Sequence, residues 1–212
     1  MNSIVKRFEN IKSLINNSNV KIIAVSKTFA YDHIKPLVDH GHIHFGENKV
    51  QEAQSKWHNI KKNNSNINLH MIGKLQSNKA KEAVILFDYI HSLDNQKLAN
   101  LLAKHEQAVK KKLKYFIQVN VGKEKQKSGI DIKSLDDFYY YCTKELNINV
   151  IGLMAIPPDD GNENIYFKNL MESNKLLGLK ELSMGMSGDF KAALKYDSTF
   201  VRIGSSIFGN RS

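Results

Sequence analysis

The alternation of short apolar runs with amphipathic stretches constrains the fold of this chain more than any other feature of its sequence. Each apolar run has the length of a buried strand, and the stretches between the runs carry apolar residues at helical spacing, as at Leu98, Leu101 and Leu102. Strands that alternate with helices predict a parallel sheet. The eight predicted strands are at residues 21–25, 43–45, 69–72, 89–91, 115–121, 150–154, 181–183 and 199–203.

Eight strand–helix repeats in a chain of this length predict a closed (β/α)8 barrel. An open, doubly wound sheet is the alternative, but no G-x-G-x-x-G fingerprint follows a strand and the sequence has no Walker-type loop. The segment before the first strand carries Phe8, Ile11 and Ile15 at helical spacing, which predicts an additional N-terminal helix. Residues 59–68, rich in Asn and Lys, predict an exposed loop.

Length and composition fit one globular domain that spans residues 1–212. Hydrophobic residues make up 42% of the chain and charged residues 25%, which excludes a disordered chain, a collagen-like fibre and a coiled coil. We expect no membrane span, because no apolar run is long enough, and no signal peptide, because the first residues are charged. The single cysteine, Cys142, cannot form an internal disulfide, which favours a reducing, cytoplasmic location.

The net charge of +10 does not by itself indicate a nucleic-acid-binding protein. Only three of the 31 basic residues are arginine, the residue that contacts bases and phosphates through paired hydrogen bonds. The densest basic run, at residues 110–114, is interpreted as the solvated end of a helix, where cations suit the helix dipole. A nucleic-acid-binding module is kept as the third functional hypothesis, and no specific nucleic acid is expected as a partner.

Polar and charged residues follow several of the predicted strands, and in a (β/α)8 barrel the chemistry gathers at these carboxyl ends. Ser26 and Lys27 follow the first strand. A lysine that is partly desolvated holds a neutral amine more easily, and a neutral amine can attack an aldehyde to form a Schiff base. Position alone leaves the alternative that Lys27 is one more solvated lysine.

The turns after the last two predicted strands are the candidate phosphate site. They contain Ser187 and Gly188 after the seventh strand, and Gly204 and Ser205 after the eighth. Backbone N–H groups and serine hydroxyls at these two strand ends often hold phosphate in barrels. The alternative is that glycine and serine only make tight turns here, and position alone does not decide between the two.

The alternating histidines His40, His42 and His44 could place three imidazoles on one strand face as metal ligands. No Cys, Asp or Glu spacing completes a familiar metal site, and these residues lie at the start of a strand, where a barrel carries no chemistry. We therefore expect no metal. Cys142 lies on an apolar helical stripe and is interpreted as a core residue rather than a nucleophile.

Several motifs, in order along the chain, resemble those of the pyridoxal phosphate homeostasis proteins, formerly called proline synthase co-transcribed homologues. The resemblance runs from about residue 21 to residue 211. The motifs are Ala24-Val25-Ser26-Lys27-Thr28, Phe45-Gly46-Glu47-Asn48-Lys49-Val50-Gln51-Glu52, His70-Met71-Ile72-Gly73-Lys74-Leu75-Gln76-Ser77-Asn78-Lys79, Gln118-Val119-Asn120, Lys127-Ser128-Gly129, Gly152-Leu153-Met154, Ser183-Met184-Gly185-Met186-Ser187, Val201-Arg202-Ile203-Gly204 and Ile207-Phe208-Gly209.

The resemblance implies a single-domain barrel like the N-terminal domain of alanine racemase. It also implies pyridoxal 5′-phosphate (PLP), held as a Schiff base on Lys27, and a role in vitamin B6 and amino-acid homeostasis with no established turnover reaction. By the same resemblance, Arg202 matches the residue that meets the pyridine nitrogen, and no catalytic residue is assigned. The remaining cofactor-binding positions match Asn48 and Met154, which line the cofactor, and Ser187, Gly204 and Ser205, which hold its phosphate.

Three positions depart from the family pattern. Leu69 stands where a tryptophan is usual, Ala30 stands near an expected proline, and Asp197 stands where glycine is common. None of the three belongs to the cofactor-binding set, so we expect PLP binding to be retained.

The remaining question is whether such a protein carries PLP or uses it for catalysis. Arg202 has only donors and would keep the pyridine nitrogen unprotonated, which makes the ring a poorer electron sink. Racemisation needs acid and base groups on opposite faces of the substrate carbon, and barrel racemases take one of them from a second domain that we expect this chain to lack. A PLP-binding and PLP-exchanging protein that is not an enzyme is therefore the first hypothesis. A weak PLP-dependent amino-acid racemase or lyase is the second.

The expected partners are PLP and, as candidate recipients of it, PLP-dependent apoenzymes. Because the second domain is expected to be absent, we predict a monomer. No membrane partner is expected.

Overall fold

The computed structural model describes residues 2–124 and 128–209 of the chain. Eight strands lie side by side in sequence order, and all neighbouring strands are parallel. The last strand pairs with the first, which closes the sheet into a barrel. The strands are β1 (Lys21–Val25), β2 (His44–Glu47), β3 (Asn68–Met71), β4 (Tyr89–Leu93), β5 (Lys114–Gln118), β6 (Val150–Met154), β7 (Glu181–Met186) and β8 (Phe200–Ile203).

A helix follows each strand, and one more helix precedes the first strand. The predicted (β/α)8 barrel with its additional N-terminal helix is therefore confirmed, and the open sheet is excluded. A short 3₁₀ turn precedes the helix at Ala80–Leu86 and another precedes the helix at Leu135–Tyr140, which continues into a π-helical turn over Tyr141–Glu145. The helices are α1 (Ser3–Ile15), α2 (Tyr31–Asp39), α3 (Val50–Asn63), α4 (Ala80–Leu86), α5 (Gln96–Val109), α6 (Leu135–Tyr140), α7 (Glu163–Leu176), α8 (Phe190–Leu194) and α9 (Ser205–Phe208).

The N-terminal helix α1 joins the outer ring of helices. The side chain of Asn2 accepts a hydrogen bond from the N–H of Ile4 at 2.8 Å, which caps the first turn. The buried side chain of Phe8 lies on the face that packs toward α2 and α9. The Nε of Arg7 donates to the carbonyl of Ile207 at 2.6 Å, so α1 is tied to the last helix of the barrel.

Strands β1 and β6 have the predicted bounds, and the other strands differ by one to three residues at an end. The largest extension is in β7, where Gly185 has a φ of +92° and the register against β8 shifts, so that the strand continues to Met186. The predicted loop at residues 59–68 is wrong in its first half, because α3 continues to Asn63. Lys61 holds this last turn by donating to the carbonyl of Leu86 at 3.2 Å.

The three departures from the family pattern fit the local backbone. Leu69 is fully buried, and its N–H donates to the carboxylate of Asp88 at 2.8 Å. Ala30 precedes α2 with a φ of −66°, the angle that a proline ring would impose. Asp197 has a φ of +61°, in the left-handed region, which explains why glycine is common at this position and why an aspartate can replace it.

The interior of the barrel is closed by aromatic and apolar residues from strands that are distant in sequence. Because successive side chains of a strand point to opposite faces, Phe200 and Arg202 face the interior while Val201 packs against the helices. His70 and His91, also interior, are fully buried and stack on aromatic rings. The apolar interior cluster comprises Ile23, Tyr89, Phe116, Met154 and Phe200.

Within residues 2–124 and 128–209, no helix has the length and apolar character needed to cross a bilayer.

We expect the protein to lose stability as the pH falls below the ordinary histidine pKa of 6.5. Burial lowers the pKa of His42 and of His44 to about 4, and lowers the pKa of His70 and of His91 well below the ordinary value. The unfolded chain therefore binds more protons than the folded chain below pH 6.5, and each such histidine costs up to about 1.4 kcal/mol per pH unit.

Urea unfolding at about pH 7 and about pH 5 measures this effect. His58→Gln is the control, because His58 is exposed and its removal should leave the pH dependence unchanged. A free energy of unfolding that stays constant on acidification would contradict the assignment of neutral, buried histidines.

Candidate functional site

A cavity of about 490 Å³ opens at the carboxyl ends of the strands. It brings together six of the seven residues that match cofactor-binding positions, namely Lys27, Asn48, Ser187, Arg202, Gly204 and Ser205. Apolar side chains from Val25, Ile72 and Ile156 complete much of its wall. Its volume lies in the range of small-molecule sites, which is about 300–1,000 Å³. The sequence reasoning had not singled out the three apolar wall residues for the site.

Met154 is the seventh predicted residue, and it lies elsewhere. It ends β6, is fully buried and belongs to the interior cluster with Phe116 and Phe200. It is not among the residues that line the cavity. A role for Met154 in lining a cofactor stays a prediction.

Lys27 lies two residues after the end of β1, half-buried, in a turn with an unusual backbone. The next residue, Thr28, has a φ of +70°, a conformation that β-branched residues rarely adopt and that costs about 1–3 kcal/mol. The N–H of Thr28 donates to the carboxylate of Glu52 on α3. This contact stabilises the turn in the conformation that places Lys27 on the cavity wall.

A buried ion pair behind the barrel wall fixes the other side of the same turn. One carboxylate oxygen of Glu47, Oε1, accepts hydrogen bonds from Ser26 Oγ at 2.7 Å, Lys56 Nζ at 2.9 Å and Trp57 Nε1 at 2.9 Å. Lys56 also donates to the carbonyl of Ser26 at 2.7 Å. Both members of the pair are buried, so the residue before Lys27 is held by charge-assisted hydrogen bonds.

The sequence analysis missed Lys56 and Trp57 as residues that support the site. The sequence analysis noted the motif that contains Glu47. Glu47 lies two residues after the apolar Phe45, on the same outward face of β2. A charged residue on the helix-facing side of a buried strand needs a partner. This requirement could have predicted a cationic partner for Glu47, and the helix that follows the strand supplies it.

Asn48 lies at the end of β2 and approaches the next strand–helix turn closely. A Cβ on Gly73 would lie 2.5 Å from the carbonyl oxygen of Asn48, so glycine is required there for the two turns to touch. This contact positions Asn48 at the cavity, half-buried, beside the apolar wall at Ile72.

The turns after β7 and β8 contact each other at the opposite side of the cavity. The N–H of Gly204 donates to Ser187 Oγ at 3.4 Å, which joins the two turns. The left-handed backbone at Gly185 turns the end of β7 so that Ser187 lies on the cavity wall. Ser205, exposed, begins α9 and lines the same wall. Hydroxyl and N–H donors are therefore gathered where the sequence predicts a phosphate.

Arg202 forms the inner wall of the cavity and is almost fully buried, with 4% of its surface exposed. Its Nη1 donates to the carbonyl of Ser183 at 2.7 Å and to Ser183 Oγ at 2.8 Å, and its Nη2 donates to the carbonyl of Ala155 at 2.9 Å. Burial lowers the pKa of Arg202 to about 10, with nearby Asp189 acting in the opposite direction, so the guanidinium remains charged at neutral pH.

The charge on Arg202 is not neutralised by direct contact with a carboxylate. In the part of the chain that the structure describes, its hydrogen-bond partners are two carbonyls and one hydroxyl, and no ion pair involves it. A buried cation is costly without such a partner. A ligand atom that accepts a hydrogen bond from Arg202, together with a negative group nearby, would offset that cost.

The alternating histidines do not form a strand face with three ligands. Only His44 belongs to β2, while His40 follows α2 and contacts Glu9, and His42 lies in the connecting loop. Among the described residues, no group of three or more His, Cys, Asp or Glu side chains is arranged to hold a metal ion. Cys142 is fully buried, and burial raises the pKa of its thiol to about 12, in agreement with a core residue.

Comparison with protein families gives a match over the full chain. The model of the alanine racemase N-terminal domain matches residues 1–212. A pyridoxal phosphate homeostasis protein of Vibrio cholerae is 36% identical over 230 residues, covering 100% of this chain and 98% of that protein. A protein of the same name from Aquifex aeolicus is 37% identical, covering 90% of this chain and 87% of its own.

Solved structures give the same result for the fold. PipY of Synechococcus elongatus, solved with PLP bound, has a TM-score of 0.89 and 32% identity, covering 97% of this chain and 100% of PipY. An alanine racemase of Clostridium difficile has a TM-score of 0.77 at 13% identity, which shows a shared fold only. This chain covers 57% of that racemase.

Proposed function

Because the chain belongs to the family of pyridoxal phosphate homeostasis proteins, we propose that it binds PLP in the cavity at the carboxyl ends of the strands and exchanges it, in the service of vitamin B6 homeostasis. Arg202 carries this proposal. A buried guanidinium that is held by neutral acceptors at the inner wall of an open cavity fits a ligand with a ring nitrogen and a negative group.

The residues of the cavity can each be given a task toward PLP. Arg202 has two N–H groups beyond the three hydrogen bonds described above, and one of them would donate to the pyridine nitrogen. Ser187, Gly204 and Ser205 would hold the phosphate with hydroxyl and backbone donors. Asn48 would lie against the ring from the β2 side.

Lys27 is proposed as the residue that holds the cofactor covalently. Bound PLP would supply an aldehyde, and the amine of Lys27 would hold it as a reversible imine, with loss of water. The turn held by Glu52 and by the pair of Glu47 with Lys56 keeps the Lys27 backbone in place.

We propose that the protein does not turn over amino acids, although a weak racemase or lyase activity is the second candidate. A racemase needs a second acid–base group facing Lys27 across the substrate. Apart from Arg202, Lys27 is the only titratable side chain among the described residues that line the cavity. Tyr31, the nearest phenol in sequence, packs edge-on against Trp57 with ring centroids 6.2 Å apart and does not line the cavity.

We propose one PLP-binding domain over residues 1–212 that acts as a monomer in the cytoplasm and supplies PLP-dependent apoenzymes. The buried single cysteine supports a reducing compartment. The scarcity of arginine supports a surface that binds no specific nucleic acid.

Replacement of Lys27 should abolish covalent attachment of PLP. Borohydride treatment of the PLP-loaded protein should fix the cofactor to the peptide that contains Lys27, as read by mass spectrometry. Lys27→Ala should lose this adduct, while the control Lys49→Ala, at an exposed position near the cavity, should keep it. An adduct at native occupancy in Lys27→Ala would refute the assignment.

Loss of the Ser187 hydroxyl should weaken binding of PLP but not of pyridoxal, which lacks the phosphate. Leaving a phosphate oxygen short of one donor costs about 1–3 kcal/mol, or about 5- to 150-fold in the dissociation constant. Titration followed by absorbance measures both ligands in Ser187→Ala and in the control Ser206→Ala, whose side chain does not line the cavity. Equal losses for the two ligands would place the phosphate elsewhere.

The PLP-loaded protein should not exchange the α-proton of L-alanine. An amine can displace Lys27, but removal of the α-proton needs a base and an electron sink, and Arg202 makes the sink poor. Incubation in heavy water, followed by NMR of the alanine, should show an unchanged α-proton signal. Exchange at roughly 1 per second or faster that disappears in Lys27→Ala would instead support the enzyme hypothesis.

A further inference from the structure

Three histidines occupy interior positions of neighbouring strands, where a barrel usually carries branched apolar side chains. His44 Nδ1 lies 2.9 Å from His70 Nε2, and His70 Nδ1 lies 2.9 Å from His91 Nε2. His91 Nδ1 lies 2.8 Å from Ser183 Oγ. These four residues are called the histidine chain below. A buried polar chain of this length is costly unless each member is hydrogen-bonded, and each member is.

The histidine chain connects the cavity to the opposite end of the barrel. At its upper end, Ser183 Oγ accepts a hydrogen bond from Arg202 at 2.8 Å. At its lower end, His44 is half-buried and lines a cavity of about 280 Å³ together with Lys21. Lys21 and Lys114 line a further cavity of about 580 Å³ at the same end of the barrel, which is called the barrel floor. The floor lysines lie over aromatic rings, with Lys21 Nζ 4.6 Å from the centroid of Phe200.

The three imidazoles are neutral at physiological pH. Burial lowers the pKa of His70 and of His91 well below the ordinary range, and His91 also feels the charge of Arg202. Burial, then Lys21 and Lys114, lower the pKa of His44 to about 4, while Asp88 acts in the opposite direction. Each ring therefore carries one N–H.

One N–H per ring forces a single direction of hydrogen bonding along the whole histidine chain. His70 can donate to His44 or to His91 but not to both, so each donor assignment fixes the next one. In the downward direction, Ser183 donates to His91, His91 donates to His70, and His70 donates to His44. In the upward direction every donor and acceptor is exchanged, and His91 donates to Ser183.

Charges at the two ends favour opposite directions. Arg202 favours the downward direction, because the hydroxyl proton of Ser183 then points away from the guanidinium. The lysines on the floor favour the upward direction, because His44 then keeps its N–H away from them. Arg202 donates a hydrogen bond directly to Ser183, whereas no hydrogen bond joins either lysine to His44 in the described residues. The downward direction of the histidine chain therefore dominates.

We propose that the histidine chain positions Arg202 and couples the affinity of the cavity for PLP to the charge at the barrel floor. This inference rests on the proposed function. When a pyridine nitrogen accepts a hydrogen bond from Arg202, part of the guanidinium charge is balanced and its preference for the downward direction weakens. A bound ligand and the floor lysines thus both favour the upward direction. By linkage, the positive charge of the floor lysines then strengthens ligand binding.

Removal of the charge of Lys114 should therefore weaken PLP binding in the intact protein. We expect Lys114→Gln to raise the dissociation constant of PLP by about two- to tenfold. In Ser183→Ala, which disconnects Arg202 from His91, the same Lys114→Gln change should leave the dissociation constant unaltered. A direct Coulombic effect of Lys114 on PLP would instead persist in Ser183→Ala, so the double-mutant cycle separates the two mechanisms.

Lys112→Gln is the matched charge control. Lys112 is exposed and lies two residues from Lys114. It forms an ion pair with Glu106 at 3.4 Å and does not line the floor cavity. It should change PLP affinity in neither background. If Lys114→Gln changes the dissociation constant of PLP by the same factor with and without the Ser183 hydroxyl, the proposal is overturned.

NMR of ¹⁵N-histidine-labelled protein tests the same proposal without a substitution. Addition of PLP should move the Nδ1 resonance of His44 toward that of a protonated nitrogen, although His44 lies at the opposite end of the barrel, and should leave exposed His58 unchanged. If PLP is bound, as read by its absorbance on the protein, and His44 does not respond, the coupling is refuted. If no PLP binds, the proposed function itself fails, which is a distinct result.

Discussion

The pairing of β8 with β1 is the contact on which the site depends. It aligns Ile23 with Arg202 and Ala24 with Ile203, so residues from the beginning and the end of the chain become neighbours. Lys27 and Gly204 then emerge at the same rim, because both strands are parallel and end together. An open sheet with the same strands would leave Lys27 and the turns after β7 and β8 on separate edges.

The alternation of side chains along β8 determines what this rim can bind. Val201 faces the helices and fills the outer core, and so Arg202 must face the interior. Its burial has to be offset within the barrel, and Ser183 on β7 together with Ala155 after β6 supplies the acceptors. The positive charge at the inner wall is thus a consequence of strand register, and it selects ligands that bring an acceptor and a negative group.

Sequence reasoning predicted the barrel, and it selected six of the residues that line the cavity, because strand ends can be read from local patterns. Strand and helix periodicities gave eight repeats, and the rule that chemistry lies at strand ends selected Lys27, Asn48 and the last two turns. It did not predict the lengthened β7, because a left-handed glycine in a strand becomes visible only when the register with β8 is known. It grouped Met154 with the residues of the cavity, whereas the end of β6 is buried in the interior cluster, so the role of Met154 toward a cofactor stays a prediction.

The histidine chain shows why the remaining polar contacts escaped the sequence. The three histidines noted in sequence alternate over residues 40–44, but only His44 contributes its ring to the histidine chain. Successive hydrogen-bonded members of the histidine chain are separated by 26, 21 and 92 positions in the sequence. The partners of His44 lie on β3, β4 and β7. These side chains meet only if each of the four strands turns the relevant residue toward the barrel interior. Secondary-structure propensity does not determine which residues of a strand face inward. Because each imidazole is neutral and holds one proton, that meeting also converts separate core residues into one hydrogen-bonded unit that ends on Arg202.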